Sequence, residues 1–177
     1  MKSSHSPFRI NTGFLINQPI GYARAIPFDL ASYDFGEDFS VSDISGTVEL
    51  TRTQDGLRAL ADLSASCEDQ CGRCLDVFSN RLHTTFEEYF TFPFVEPSED
   101  ETAVAEDGNI DLEPIIHDYL MMENNINPLC REDCKGLCDI CGQNLNHANC
   151  AHNSDDTSEA EKETIHKSAS AEESPAV

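Results

Sequence analysis

Eight cysteines stand in this 177-residue chain, at Cys67, Cys71, Cys74, Cys130, Cys134, Cys138, Cys141 and Cys150. Thiolate sulfur is a preferred ligand of Zn²⁺, which takes four tetrahedral S or N donors, and a Cys-x-x-Cys turn delivers two of them. Such a turn occurs twice, as Cys71-Gly72-Arg73-Cys74 and as Cys138-Asp139-Ile140-Cys141. Gly142 follows the second directly and permits a sharp turn that aims backbone N–H groups at sulfur. Cys138, Cys141, Cys150 and His152 form a compact local set, with His147 as an alternative fourth donor. Cys71 and Cys74 then need two more ligands, and Cys130 and Cys134, spaced i, i+4, remain. That pairing would clamp the C-terminal segment onto the N-terminal part of the chain. Cys67 is left over and is expected to be a buried core thiol.

A rival partition gathers Cys130, Cys134, Cys138 and Cys141 in one local cluster and leaves Cys71 and Cys74 as a redox pair. A thioredoxin-type pair opens an amphipathic helix after a buried strand, a pattern that residues 75–81 do not carry. Either partition implies one or two structural zinc ions. With four protein donors on a metal, no position is left for a catalytic water, so the metal would stabilise and not catalyse. The sequence also has no phosphate-cradling glycine loop, no G-x-S-x-G and no H-E-x-x-H, so the expectation is a non-enzyme. Arg73, Arg131 and Lys135 lie within or beside the clusters. They could make a local contact to RNA or a partner, or only offset thiolate charge. His83 and His117 are expected to be ordinary histidines of their elements.

The remaining charge is strongly acidic, with 33 Asp and Glu against 11 Lys and Arg, a net −22. Such a surface repels phosphate, which excludes non-specific binding to nucleic acid or anionic lipid and favours a basic protein partner. No apolar run approaches the roughly 18–20 residues that span a bilayer. Residues 1–18 are too polar for a secretory signal, so the expected compartment is the reducing cytoplasm, where metal binding outcompetes disulfides as a use for cysteine.

The elements that must position the cysteines follow from patterning. Residues 8–10 with Gly13–Ile16 read as a first strand and residues 22–30 as a second. Residues 41–53 and 57–67 read as a hairpin, whose Asp55-Gly56 turn is explained by the tolerance of glycine for positive φ. Leu57, Ala59, Ala61, Leu63, Ala65 and Cys67 share one parity and should face the core. Residues 78–92, rich in aromatic and β-branched side chains, read as a further strand. Residues 96–113 hold eight acids and no base, the composition of a solvated loop. Asp111 then caps a helix whose Leu112, Ile115, Ile116, Tyr119 and Leu120 form one apolar stripe. The expected class is therefore α+β: a mainly antiparallel β-sheet, one packed amphipathic helix and a C-terminal cysteine-rich zinc-binding segment. The expected units are a β domain at 1–95, an acidic loop at 96–110, a helix with the Cys-rich segment at 111–152, and a disordered acidic tail at 153–177.

Taken together, these residues resemble a family. Cys71-Gly72-Arg73-Cys74-Leu75 has the form C-x-R-C-L. Residues 128–138, continuing through Cys141-Gly142-Gln143-Asn144-Leu145-Asn146, resemble the C-terminal signature of YceD-type proteins. These are the large ribosomal RNA subunit accumulation proteins of bacteria and plastids. The stretch 46–56 and Ile110-Asp111-Leu112 fit as well, and the resemblance covers about residues 8–152. Asp139 stands where the family usually has proline, and His152 where many members have cysteine, a ligand exchange that zinc tolerates. Some members lack the second cluster, which implies that Cys71, Cys74, Cys130 and Cys134 are the architectural set. The resemblance further implies a role in accumulation, processing or stability of large-subunit ribosomal RNA. Because the family's gene usually adjoins that of a small basic ribosomal protein, the implied partner is such a protein or a pre-ribosomal particle.

Overall fold

The computed structural model describes residues 6–36, 39–95 and 102–152. The tail at 153–177, expected to be disordered, and residues 96–101 of the acidic stretch lie outside the described residues. The elements in chain order are β1 (Arg9–Asn11), α1 (Gly13–Ile16), β2 (Ala23–Asp34), β3 (Ser40–Arg52), β4 (Gly56–Gln70), β5 (Val77–Thr91), β6 (Thr102–Ala103), β7 (Asn109–Asp111) and α2 (Glu113–Glu123). A five-stranded sheet runs in the order β2-β3-β4-β5-β6, antiparallel except for β6, which pairs parallel to Phe90 and Thr91 of β5. A separate ribbon pairs β1 with β7. The fold is thus the expected mainly antiparallel sheet with few helices, and no helix among the described residues is long and apolar enough to cross a membrane.

Strict alternation on β4 produces its two faces. Leu57, Ala59, Ala61, Leu63, Ala65 and Cys67 are all buried, while Leu60, Asp62 and Glu68 face solvent. The small alanines oppose large neighbours, Ala59 against Leu50 and Ala61 against Val48 and Phe86, so the inner layer interdigitates. α2 and the preceding Leu112 close this layer, with Leu112, Ile116 and Leu120 each fully buried. Burial of such a side chain stabilises by roughly 1.5–3 kcal/mol. Tyr119 stacks on Phe86 with ring centroids 4.6 Å apart and donates its hydroxyl to Glu88 at 3.0 Å. Two residues earlier in the helix, His117 lies against Phe35 and Phe39.

Three expectations are corrected. Gly13–Ile16 forms a helical turn and not a strand. The β1 ladder runs out at Asn11, because the next residue gives both its backbone N–H and its hydroxyl to the Gly108 carbonyl, each at 2.8 Å. The chain then folds over Thr12, and Leu15 is fully buried. The hairpin of residues 53–56 is present, but its glycine does not have a positive φ. Gly56 is required by space: a Cβ there would lie 1.9 Å from the Phe90 carbonyl oxygen. Finally, the described part of the acidic stretch is not simply solvated. It supplies β6 and β7, buries Val104 and Ile110, and pairs Asp107 with Arg9.

Candidate metal centres

The long hairpin of β4 and β5 ends in the tight connection 71–76, which carries the first cysteine pair. Cys71 N–H donates to the Asp76 carbonyl and Leu75 N–H to the Cys71 carbonyl, both at 2.9 Å. Gly72 N–H donates to the Pro128 carbonyl at 2.8 Å, which docks the segment after α2 against this turn. The approach is close: a Cβ on Gly72 would lie 1.6 Å from the Asn127 amide oxygen. Arg73 strengthens the seam by donating to the Cys134 carbonyl at 3.2 Å, while its own carbonyl takes Leu137 N–H at 3.2 Å.

These contacts bring Cys71, Cys74, Cys130 and Cys134 together, with all four sulfurs within 4.8 Å of one another. Cys71 and Cys134 are 3.7 Å apart at sulfur, as are Cys74 and Cys130. A tetrahedron with metal–sulfur bonds of about 2.3 Å has edges of about 3.8 Å. The spacing fits a four-thiolate metal centre and is far longer than the roughly 2.05 Å of a disulfide. Cys71, Cys74 and Cys134 are buried and Cys130 is half-buried. Backbone N–H groups, that of Cys130 foremost, lower the Cys71 thiol to about 6. At Cys74 the Asp76 N–H also favours the thiolate, but burial and the neighbouring thiols outweigh it and push the group up to about 12. Four ionised sulfurs at this spacing repel one another, and a divalent cation would remove that conflict.

The second set is local. Cys138, Cys141, Cys150 and His152 place their donor atoms within 4.8 Å of one another. The turn is closed by Gly142 N–H on the Cys138 carbonyl at 2.8 Å, with Gly142 at φ 71°. Cys138 N–H donates to the Gln143 carbonyl at 2.9 Å, and Leu137 bridges Asn144. The N–H groups of Cys141 and Ile140 lower the Cys138 thiol to about 7. This centre is far more open, since Cys141 and His152 are exposed and Cys150 is half-buried.

Four residues outside both donor sets join them, and sequence reasoning did not assign these roles. One Asp76 carboxylate oxygen accepts from the Asn144 amide at 2.9 Å, faces His147 Nε2 at 3.1 Å and takes the Cys74 thiol at 3.4 Å. The Asn144 amide, above all, holds the Asp76 carboxyl below the usual range. Asn146 donates its amide to the Cys134 sulfur at 3.3 Å and accepts Lys135 N–H at 2.9 Å. His147 is therefore engaged by Asp76 and not grouped with the second set. The available signal was the pair Asn144 and Asn146 beside a cysteine turn, in a stretch with too little apolar surface to fold without polar anchors.

Cys67 sits in the sheet core, where burial pushes its thiol up. Of the three nearby cations, Arg73 holds the Cys134 carbonyl and Arg131 lies 3.5 Å from Asp133. Lys135 is exposed.

Residues 60–168, well over half of the chain, match the family described as Large ribosomal RNA subunit accumulation protein YceD. An uncharacterized protein of Mycobacterium leprae is 36% identical over 87 residues, which is 47% of this chain and 40% of that protein. Uncharacterized proteins of Mycobacterium bovis and Mycobacterium tuberculosis are 29% identical over 133 residues, 73% of this chain and 62% of theirs. The chain thus spans less than two thirds of the length of these relatives. No solved structure matches it. The match takes in both cysteine turns and the segment that joins them, and the chain belongs to the YceD family.

Proposed function

We propose that this chain is a non-catalytic factor that supports accumulation or maturation of large-subunit ribosomal RNA in the cytoplasm, acting through a basic ribosomal protein. The observation that carries the reading is membership of a family whose description names that RNA. Structural zinc at both centres is part of the proposal, supported by thiolate-rich donor sets of four and, at the first centre, by sulfur spacings of tetrahedral size.

Charge supports a protein over RNA as the direct partner. A net −22 repels phosphate and attracts a Lys/Arg-rich chain, raising its encounter rate and screening it before it meets RNA. Acid lines the solvent face of the sheet as well, where Asp29, Glu49, Asp62 and Glu87 are exposed on β2 to β5. Arg73 and Arg131, which an RNA site would need, already have protein partners.

The test is capture of purified large-subunit proteins on the tagged full chain, washed at rising salt. A basic protein held at low salt, released as salt screens the contact, and held less well after deletion of residues 153–177 is the expected result. If no basic protein is retained even at low salt, the reading fails.

A further inference from the structure

We infer that the two metal centres are energetically coupled, and that the loop between Cys141 and Cys150 is the coupling element, working through Asn146 and Asp76. The inference rests on the metal reading of the two donor sets.

The ligands of the second centre flank a short loop, and the side chains of that loop point at the first centre. Asn146 donates to the sulfur of Cys134, a first-centre donor, at 3.3 Å. Asn144 and His147 both meet the Asp76 carboxylate, which in turn takes the sulfur of Cys74, another first-centre donor, at 3.4 Å. Two of the first centre's four sulfurs are therefore oriented by residues 144–147. Asn144 also supports Asn146 from within the loop, accepting its backbone N–H and its amide at 3.0 Å each.

Backbone bonds shape the loop in part, with Leu145 N–H on the Gly136 carbonyl at 2.9 Å and His147 and Ala148 N–H on the Asn144 carbonyl at 3.2 Å, but apolar packing adds little. Its aliphatic side chains are Leu145 and the single methyl of Ala148, and its ends are tied by the second donor set. A cation held by Cys138, Cys141, Cys150 and His152 would restrict the loop to the conformation in which Asn146 reaches Cys134. The entropy of ordering those residues is then not charged against the first centre. Linkage makes the effect reciprocal: occupation of the first centre fixes Cys134 and Cys74, and through them favours the loop that the second centre needs. Asp76 and Asn146 are positioning residues, since neither belongs to a donor set.

The test is a titration of the full-length chain with Co²⁺ against a competing chelator. The absorption bands of a four-sulfur site and of a three-sulfur, one-nitrogen site report each centre separately. Cys141→Ser disables the second centre. Asn146→Ala and Asp76→Ala keep all eight donors and remove the bridging side chains. Loss of groups that orient metal ligands costs about tenfold to a hundredfold in affinity. Cys141→Ser is therefore expected to weaken the first centre by that range, Asn146→Ala by a smaller part of it, and the double variant by less than the product. Circular dichroism of the loaded variants should match the parent, which separates coupling from general unfolding. First-centre affinity unchanged within about twofold after Cys141→Ser, or strictly multiplicative losses in the double variant, would overturn the coupling. If the parent chain takes up no Co²⁺ at either centre, the metal reading itself fails, and that outcome is distinct from two filled centres that behave independently.

Discussion

At Cys71 a buried cysteine turn closes with Leu75 N–H on the Cys71 carbonyl at 2.9 Å; at Cys138 an open one closes with Gly142 N–H on the Cys138 carbonyl at 2.8 Å. The local chain geometry is shared: the residue after the second cysteine is left-handed in both, Leu75 at φ 62° and Gly142 at φ 71°. The surroundings differ. The first turn is the tip of the β4–β5 hairpin, and its donors come from segments 56 to 63 residues apart. The second turn draws all its donors from residues 138–152 and stands outside the sheet. One turn type thus serves two purposes, joining distant parts of the fold in one case and shaping a short loop in the other.

That contrast predicts unequal consequences of losing a ligand. Cys71→Ser removes a donor with no exposed surface and undoes the seam between the hairpin tip and the segment after α2. Loss of a metal site or buried polar network belongs to the short list of severely destabilising changes. The expected fall in Tm is on the order of 10 °C or more. Cys141→Ser, at an exposed donor outside the sheet, should lower Tm by less than about 5 °C. Thermal melts of the two variants beside the parent decide the matter, and equal falls would mean that the two centres carry the fold equally.

A smaller and kinetic difference should appear when metal is withdrawn. Challenge of the loaded chain with a chromogenic chelator is expected to release metal in two phases. The fast phase belongs to the second centre, where Cys141 and His152 meet solvent, and the slow phase to the first, where three sulfurs are buried. Cys141→Ser should abolish the fast phase and leave a single release, quicker than the parent's slow phase because the first centre has lost its coupling to the second. A single phase in the parent would show that burial does not protect the first centre.

The same contrast explains how much the sequence disclosed. The β4 parity and the α2 stripe were legible because alternation by two and by three or four is imposed by one face meeting one core. The second donor set was legible because its spacing is local. The first was reachable by elimination once Cys71 and Cys74 lacked partners, since nothing periodic links residues that far apart. Gly56 was placed correctly at its turn for the wrong reason, because the crowding by Phe90 belongs to the neighbouring strand. Asn144 was conspicuous beside the second turn, but its partner Asp76, 68 residues away, was not legible. Polar side chains that meet across a fold have no period, and their identities alone do not say what they touch.

The smallest expected effect concerns the left-handed residue that closes each turn. A left-handed backbone costs an L-residue about 1–2 kcal/mol and costs glycine almost nothing. Leu75 bears this cost while 54% exposed, so its packing does little to offset the strain. Leu75→Gly should therefore stabilise the first turn by about 1 kcal/mol, less the entropy that glycine adds to the unfolded chain, for a rise in Tm of at most about 2–4 °C. The reverse exchange isolates the strain more cleanly. A Cβ on Gly142 meets nothing within 4 Å, so Gly142→Ala introduces backbone strain without a clash. It should weaken the second centre by about 1 kcal/mol, close to a fivefold loss of Co²⁺ affinity there. If both exchanges left stability and affinity unmoved, the positive φ angles would not be a constraint on either turn. If only Gly142→Ala had an effect, the first turn would be held by the hairpin and by its docking on Pro128 strongly enough to absorb the strain that the isolated second turn cannot.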